Sequence, residues 1–134
     1  MRGRILVFIF IGLLALSGCN QTHQSVGKTK PTSNPTAMDI LADNPDADIF
    51  QLQGIIYKNA KDIDWVQSEE LSIGEKVGTI AKQYKEGMAF EDGMATKLPV
   101  GAEIYEPAEK VGPILLVRLG PNERVMRYLG LIEG

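Results

Sequence analysis

The chain of 134 residues has one cysteine, one histidine and one tryptophan, and each scarcity removes a class of chemistry. A single thiol cannot form an intramolecular disulfide, so no covalent staple reinforces the fold. His23, the sole imidazole, lies among Gln, Thr, Ser and Lys, away from any apolar pattern. Nucleophile–base systems of the Ser-His or Cys-His kind need a positioned imidazole, and zinc sites draw on His and Cys clusters; neither is expected. No motif implies a cofactor. Carboxylates remain. Asp43, Asp46 and Asp48 cluster, but the Gly at the sixth position and the closing Glu of a calcium loop are missing, so they read as a solvated acidic edge. Glu69-Glu70 and Glu91-Asp92 are acids of the type a glycosidase uses, yet they read as exposed loop residues.

The apolar stretch at the start is also short. Arg2 and Arg4 precede about twelve mostly apolar residues at 5–16, whereas a membrane-spanning helix needs roughly twenty. It ends in Leu16-Ser17-Gly18-Cys19, followed by polar Asn20-Gln21-Thr22. This pattern resembles the lipobox of bacterial lipoproteins. The resemblance implies a signal peptide at 1–18, a diacylglyceryl group on the Cys19 sulfur, and cleavage before that residue. It implies a cell-membrane protein anchored by lipid on the extracytoplasmic side, with palmitate-type chains on Cys19 contacting the bilayer. Each buried methylene contributes about 0.8 kcal/mol, and two chains hold a protein stably. By the sorting pattern of such lipoproteins, Asn20 in place of Asp favours the outer membrane in a two-membrane cell. In a one-membrane cell the outer leaflet of the plasma membrane is the only destination.

Residues 19–46 are rich in Gln, Thr, Ser, Asn, Lys and Pro and poor in large apolar side chains, the composition of a disordered tether. Residues 37–42 carry helix formers, but six residues are marginal alone. Residues 47–134 are expected to form one small domain of modest stability. Residues 1–38 hold four basic and no acidic side chains, which leaves ten bases against seventeen acids over 39–134, a net of −7. That balance argues against nucleic acid and against a domain lying flat on an anionic membrane.

Within the domain, Phe50, Leu52 and Ile56 alternate with Gln51 and Gln53, predicting one half-buried strand across 49–57. Ile63-Asp64-Trp65-Val66 reads as a short second strand, with Trp65 in the core. Residues 72–84 carry capping-box spacing between Ser72 and Glu75, but Gly74, Gly78 and the β-branched Val77, Thr79 and Ile80 favour strand. Residues 85–100, rich in Gly and Met, read as a long connection. Residues 98–105 form a turn feeding a strand. The run at 114–119, the Gly120-Pro121-Asn122-Glu123 turn and the run at 124–132 predict an antiparallel hairpin. Arg118, Arg124 and Arg127 are placed to pair across strands with Glu103 or Glu106.

The stretch from Leu98-Pro99-Val100-Gly101 to residue 132 resembles small bacterial Src-homology-3-like barrels, in which such a turn precedes a strand and a hairpin follows. It departs from them in lacking Trp in the hairpin. The expected class is mainly β, with β-rich α+β as the alternative: a small antiparallel sheet or partly open barrel of five or six strands. Met88, Phe90 and Met94, flexible apolar side chains on a Gly-flanked loop, are the candidate partner-contact residues. The expected function is an accessory or regulatory binding module of the bacterial cell envelope, its partner an envelope protein or wall component, without catalysis. A carboxylate-based hydrolase of wall polymers and an immunity-type protective lipoprotein are the alternatives.

Overall fold

Short alternating runs with few helix-length segments favour sheet, and strands dominate the computed structural model, which describes residues 33–133. The signal region, the Leu16-Ser17-Gly18-Cys19 motif and His23 lie outside the described residues. In chain order the elements are α1 (Ala37–Asp43), β1 (Ile49–Leu52), β2 (Ile55–Asn59), α2 (Asp64–Ser68), β3 (Ile73–Thr79), β4 (Lys82–Gln83), β5 (Met94–Ala95), β6 (Glu103–Pro107), β7 (Ile114–Arg118) and β8 (Val125–Gly130). The protein is mainly β, as its sequence predicts. The eight strands among the described residues form one curled half-barrel sheet in the order β3-β6-β7-β8-β2-β1-β5-β4. That is more strands than the expected five or six, and the β4–β5 pair is parallel.

The two edge strands follow each other in the chain. Thr79 still pairs with Glu103 of β6. Ile80 then exchanges hydrogen bonds with the 101–102 turn, while the Ala81 amide donates to the Gly93 carbonyl. One bent run therefore leaves one edge of the sheet and becomes the other. This segment is extended, as predicted. Gly74 explains part of the choice: a Cβ there would lie 2.8 Å from the Glu106 carbonyl oxygen, so the close β3–β6 approach needs a residue without one.

The strand expected across 49–57 is two strands. Gln53 and Gly54 both have positive φ, 51° and 77°, and make a two-residue hairpin turn. A two-residue turn reverses parity. Phe50 pairs with Tyr57, and Ile56 faces away from Phe50 instead of sharing its side. Phe50 enters the barrel interior with Ile80, Leu98, Ile104, Val117 and Tyr128. Ile49 and Ile56 lie on the outer face, beneath α1.

The predicted hairpin of β7 and β8 is present, with Leu116 opposite Arg127. Its continuous apolar run has a structural reason: β7 is buried on both faces. Leu115 and Val117 face the barrel interior, and Ile114 and Leu116 pack outward with Ala60, Val66 and Tyr105.

Both outer clusters are covered by short helices that the sequence pattern misread. Residues 63–66 are not a strand; α2 starts at Asp64, and its Val66 is buried while Trp65 points outward. A five-residue helix is unstable alone. Arg127 holds it by donating through Nη1 to the carbonyls of Val66 (2.6 Å), Gln67 (3.2 Å) and Glu69 (2.8 Å). That is Arg127's role, in place of the expected pairing with Glu103 or Glu106. At the other end of the chain, order begins before residue 47. Thr36 and Asp39 close a capping box on α1, and Ala37, Ile40 and Leu41 pack with Ala47, Ile49 and Ile56. The segment read as tether thus contributes an apolar face to the domain. The connection expected at 85–100 contains β5, which bridges β1 and β4.

Inside the barrel, Tyr128 is fully buried with its ring 5.0 Å from Phe50. Its hydroxyl donates to Asp48 at 2.9 Å and 3.0 Å, and Asn59 donates to the same carboxylate at 2.8 Å. Burial, then the negative charge of Asp48, raises the Tyr128 phenol far above its ordinary value, so it remains a donor at every physiological pH. Tyr128→Phe removes that donor from a part-buried carboxylate. It is expected to lower unfolding free energy by about 1–3 kcal/mol with an unchanged m-value, measured by urea denaturation.

Candidate functional site

Met88, Phe90 and Met94 do not form an exposed patch. Met94 is only 4 % exposed, and its sulfur accepts the Glu91 amide at 3.1 Å, so it acts as an internal strut of the 91–94 turn. Phe90 is half-buried and stacks on Tyr84 with centroids 4.9 Å apart. It also packs against the cluster beneath α1. Met88 is half-buried. The sequence marked a loop where apolar side chains concentrate, and β5 draws Met94 into the fold while Met88 and Phe90 stay half-buried.

An exposed apolar side chain lies on α1, one of six large apolar residues exposed among the described residues. Met38 on α1 is 49 % exposed and forms a ridge between two clefts. The larger, about 500 Å³, has Leu41, Pro45 and Tyr84 in its wall, with Glu86 and Lys97 as its charged members. The second, about 270 Å³, runs from Asn34 past Met38 to Ile56 and Phe90. Phe90 therefore does reach a cleft. The signal that could have found Met38 is the Thr36–Asp39 cap, which turns Ala-Met-Asp-Ile-Leu-Ala into an amphipathic turn. Ala37, Ile40 and Leu41 face inward, and Met38 is left outside.

The ends of the folded region meet beside this ridge. The Glu133 amide donates to Asn34 Oδ1 at 2.9 Å, and Asn34 lines the second cleft.

Two of the acidic candidates, Asp92 and Asp48, and two further acids, Glu109 and Glu103, are engaged in local structure. Asp92 accepts from Gln51 Nε2 and from the Gly54 amide, both at 2.9 Å, and so clamps the β1–β2 turn. That clamp accounts for a tight turn built on Gln-Gly, where Asn-Gly would have been the recognisable signal. The backbone bond from Gly54, then the Gln51 side chain, hold the Asp92 carboxyl below its ordinary value. Asp48 is occupied by Tyr128 and Asn59. Glu109 accepts the Ser72 amide and hydroxyl at 2.7 Å each, which depresses its titration. Arg118 pairs with Glu103 at 3.6 Å, as expected for a cross-strand pair, donates to the Tyr105 hydroxyl at 2.8 Å and lies over the Tyr105 ring. Lys76 meets the other Glu103 oxygen at 3.2 Å. No group of three or more metal-ligating side chains occurs among the described residues. No helix among them is long and apolar enough to cross a membrane. No protein-family description, curated protein or solved structure matches the chain.

Asp92 makes a pH prediction. Its carboxyl titrates lower in the folded state than in the unfolded chain, so its contribution is complete above the unfolded value of 3.8 and fades as pH falls through the folded one. Asp92→Asn is expected to be less stable than the parent at neutral pH. The gap should narrow below about pH 4, as read by thermal melts across pH. An unchanged gap at low pH would show that the clamp is not electrostatic.

Proposed function

We propose that the protein is a lipid-anchored, extracytoplasmic binding module of the bacterial cell envelope, acting by contact with a membrane-proximal partner and without catalysis. The observation that carries the anchoring is the placement of the only cysteine within Leu16-Ser17-Gly18-Cys19, behind a basic start and a short apolar run. A thiol kept for packing would have no reason to sit at a small-residue cleavage motif. The contact surface is the Met38 ridge. It is apolar, flanked by two clefts and adjacent to the point where the chain enters the domain. Met is suited to such a surface because its unbranched, polarizable side chain adapts to differently shaped partners.

Reach constrains the partner. Asn34 is fifteen positions after Cys19, and fifteen residues extend to at most about 50 Å. A domain on such a tether stays within reach of proteins at or just above the bilayer.

Two measurements separate the parts of this proposal. Radiolabelled palmitate is expected to mark the native protein, and Cys19→Ser to abolish both the label and membrane fractionation; an unlabelled native chain sinks the anchor. Met38→Glu is expected to change stability by less than about 0.5 kcal/mol, because the side chain is exposed. It should nevertheless remove the partner captured by crosslinking in intact cells. Retention of the same crosslinked partner by Met38→Glu would sink the ridge.

A further inference from the structure

The chain places its only tryptophan on the surface and holds it rigidly there. Trp65 is 48 % exposed on α2, a helix too short to persist unaided. Beyond the three carbonyls held by Arg127, Gln67 Nε2 donates to the Ala60 carbonyl at 2.9 Å and the Ser68 hydroxyl to the Trp65 carbonyl at 3.1 Å. Five side-chain hydrogen bonds thus order a helix of five residues, with the buried Val66 facing inward and a bare indole outward. Solubility alone would favour a polar side chain at that position. A pre-ordered aromatic face, by contrast, is a binding platform whose entropy cost is met before the ligand arrives.

A glycine connects the indole to a neighbouring cleft. Gly112 lies beside the indole: a Cβ there would sit 3.7 Å from Trp65 Cη2. Gly112 also lines a cleft of about 240 Å³ with Tyr57, Glu106 and Lys110. Gly112 is thus the residue common to the indole's surroundings and the cleft wall. The cleft presents both kinds of hydrogen-bonding group. Lys110 Nζ lies 3.7 Å from Glu106 Oε1, an exposed donor beside an exposed acceptor. The Tyr57 phenol is raised by burial, then by the charge of Glu106, and stays protonated.

We propose that Trp65 and the cleft beyond Gly112 form a subsite for an uncharged polyhydroxylated ligand, a glycan strand of the kind found in cell walls. A pyranose ring has an apolar C–H face that stacks on an indole through dispersion contacts. Its hydroxyls each donate and accept, which a neighbouring ammonium–carboxylate pair satisfies together. A cationic ligand is the poorer fit, because Lys110 lies against Glu106, the other cleft carboxylate Glu109 is taken up by the Ser72 amide and hydroxyl, and a single ring makes no cage. The proposal stands on this geometry and needs neither the lipid anchor nor the Met38 ridge.

The test uses the full-length protein in a detergent without a sugar headgroup. Because Trp65 is the only tryptophan, its fluorescence reports this site alone. Titration with the hexamer of β-1,4-linked N-acetylglucosamine is expected to give a saturable blue shift. By calorimetry, Trp65→Ala should weaken binding about tenfold or more, while Trp65→Phe, which keeps a stacking face, loses less. Both variants should melt as the parent does, since the indole contributes little to the core. Glu106→Gln should weaken binding without moving the melt. An unshifted emission with the hexamer, or equal affinity in Trp65→Ala, overturns the proposal. A shift with tetramethylammonium but not with the hexamer overturns it in favour of a cation site.

Discussion

The fold depends on the backbone of Ile80 and Ala81. On one side of this pair the chain is the partner of β6, and on the other it is the partner of β5. An eight-stranded sheet with free edges would have to protect both from pairing with other chains. Here a single run supplies both edges and bends from one to the other, so the sheet curls into a half-barrel. Ile80, fully buried at the bend, anchors the turn in the interior with Phe50, Leu98 and Tyr128. The remaining edge of β3 carries Glu75 and Lys76, register shifts and two glycines, features that make it a poor template for another strand.

Curling leaves the outer surface with more apolar area than strands alone can cover. Two helices of seven and five residues do the covering. Neither is long enough to form by itself, and each is stabilised by a specific device: the Thr36–Asp39 capping box for α1, the Arg127 clamp for α2. Each also leaves one large apolar side chain outside, Met38 and Trp65 respectively. Both candidate contact surfaces therefore arise from the same solution to the same packing problem. The two differ in what surrounds them. Met38 lies beside the point where the chain enters the domain, and Trp65 lies beside a polar cleft.

Much of this was legible before any coordinates. The hairpin of β7 and β8 follows from two apolar runs on either side of Gly-Pro-Asn-Glu, a local signal that tertiary context had no reason to override. The extended reading of residues 72–84 rested on Gly and β-branched content and holds, with Gly74 required by the approach of Glu106. Where the reading failed, the deciding partner was remote in sequence. The Gln53 and Gly54 turn depends on Asp92, and the helix at Asp64–Ser68 on Arg127, some sixty positions away. Periodicity over a few residues cannot register such contacts, so an alternating run was continued through a turn and a helix was read as a strand.

Taken alone, the amino-acid order determined the β-rich class; it also placed the single cysteine in the Leu16-Ser17-Gly18-Cys19 motif on which the proposed anchor rests. These are properties of composition and of short windows. Which apolar side chains stay outside was decided only in three dimensions. Met94 is drawn inward by β5, Trp65 is turned outward by α2, and Met38 is stranded on a capped turn. The reason is that burial is a property of the assembled sheet and its covering helices, and a side chain's own hydrophobicity does not specify which face will be covered.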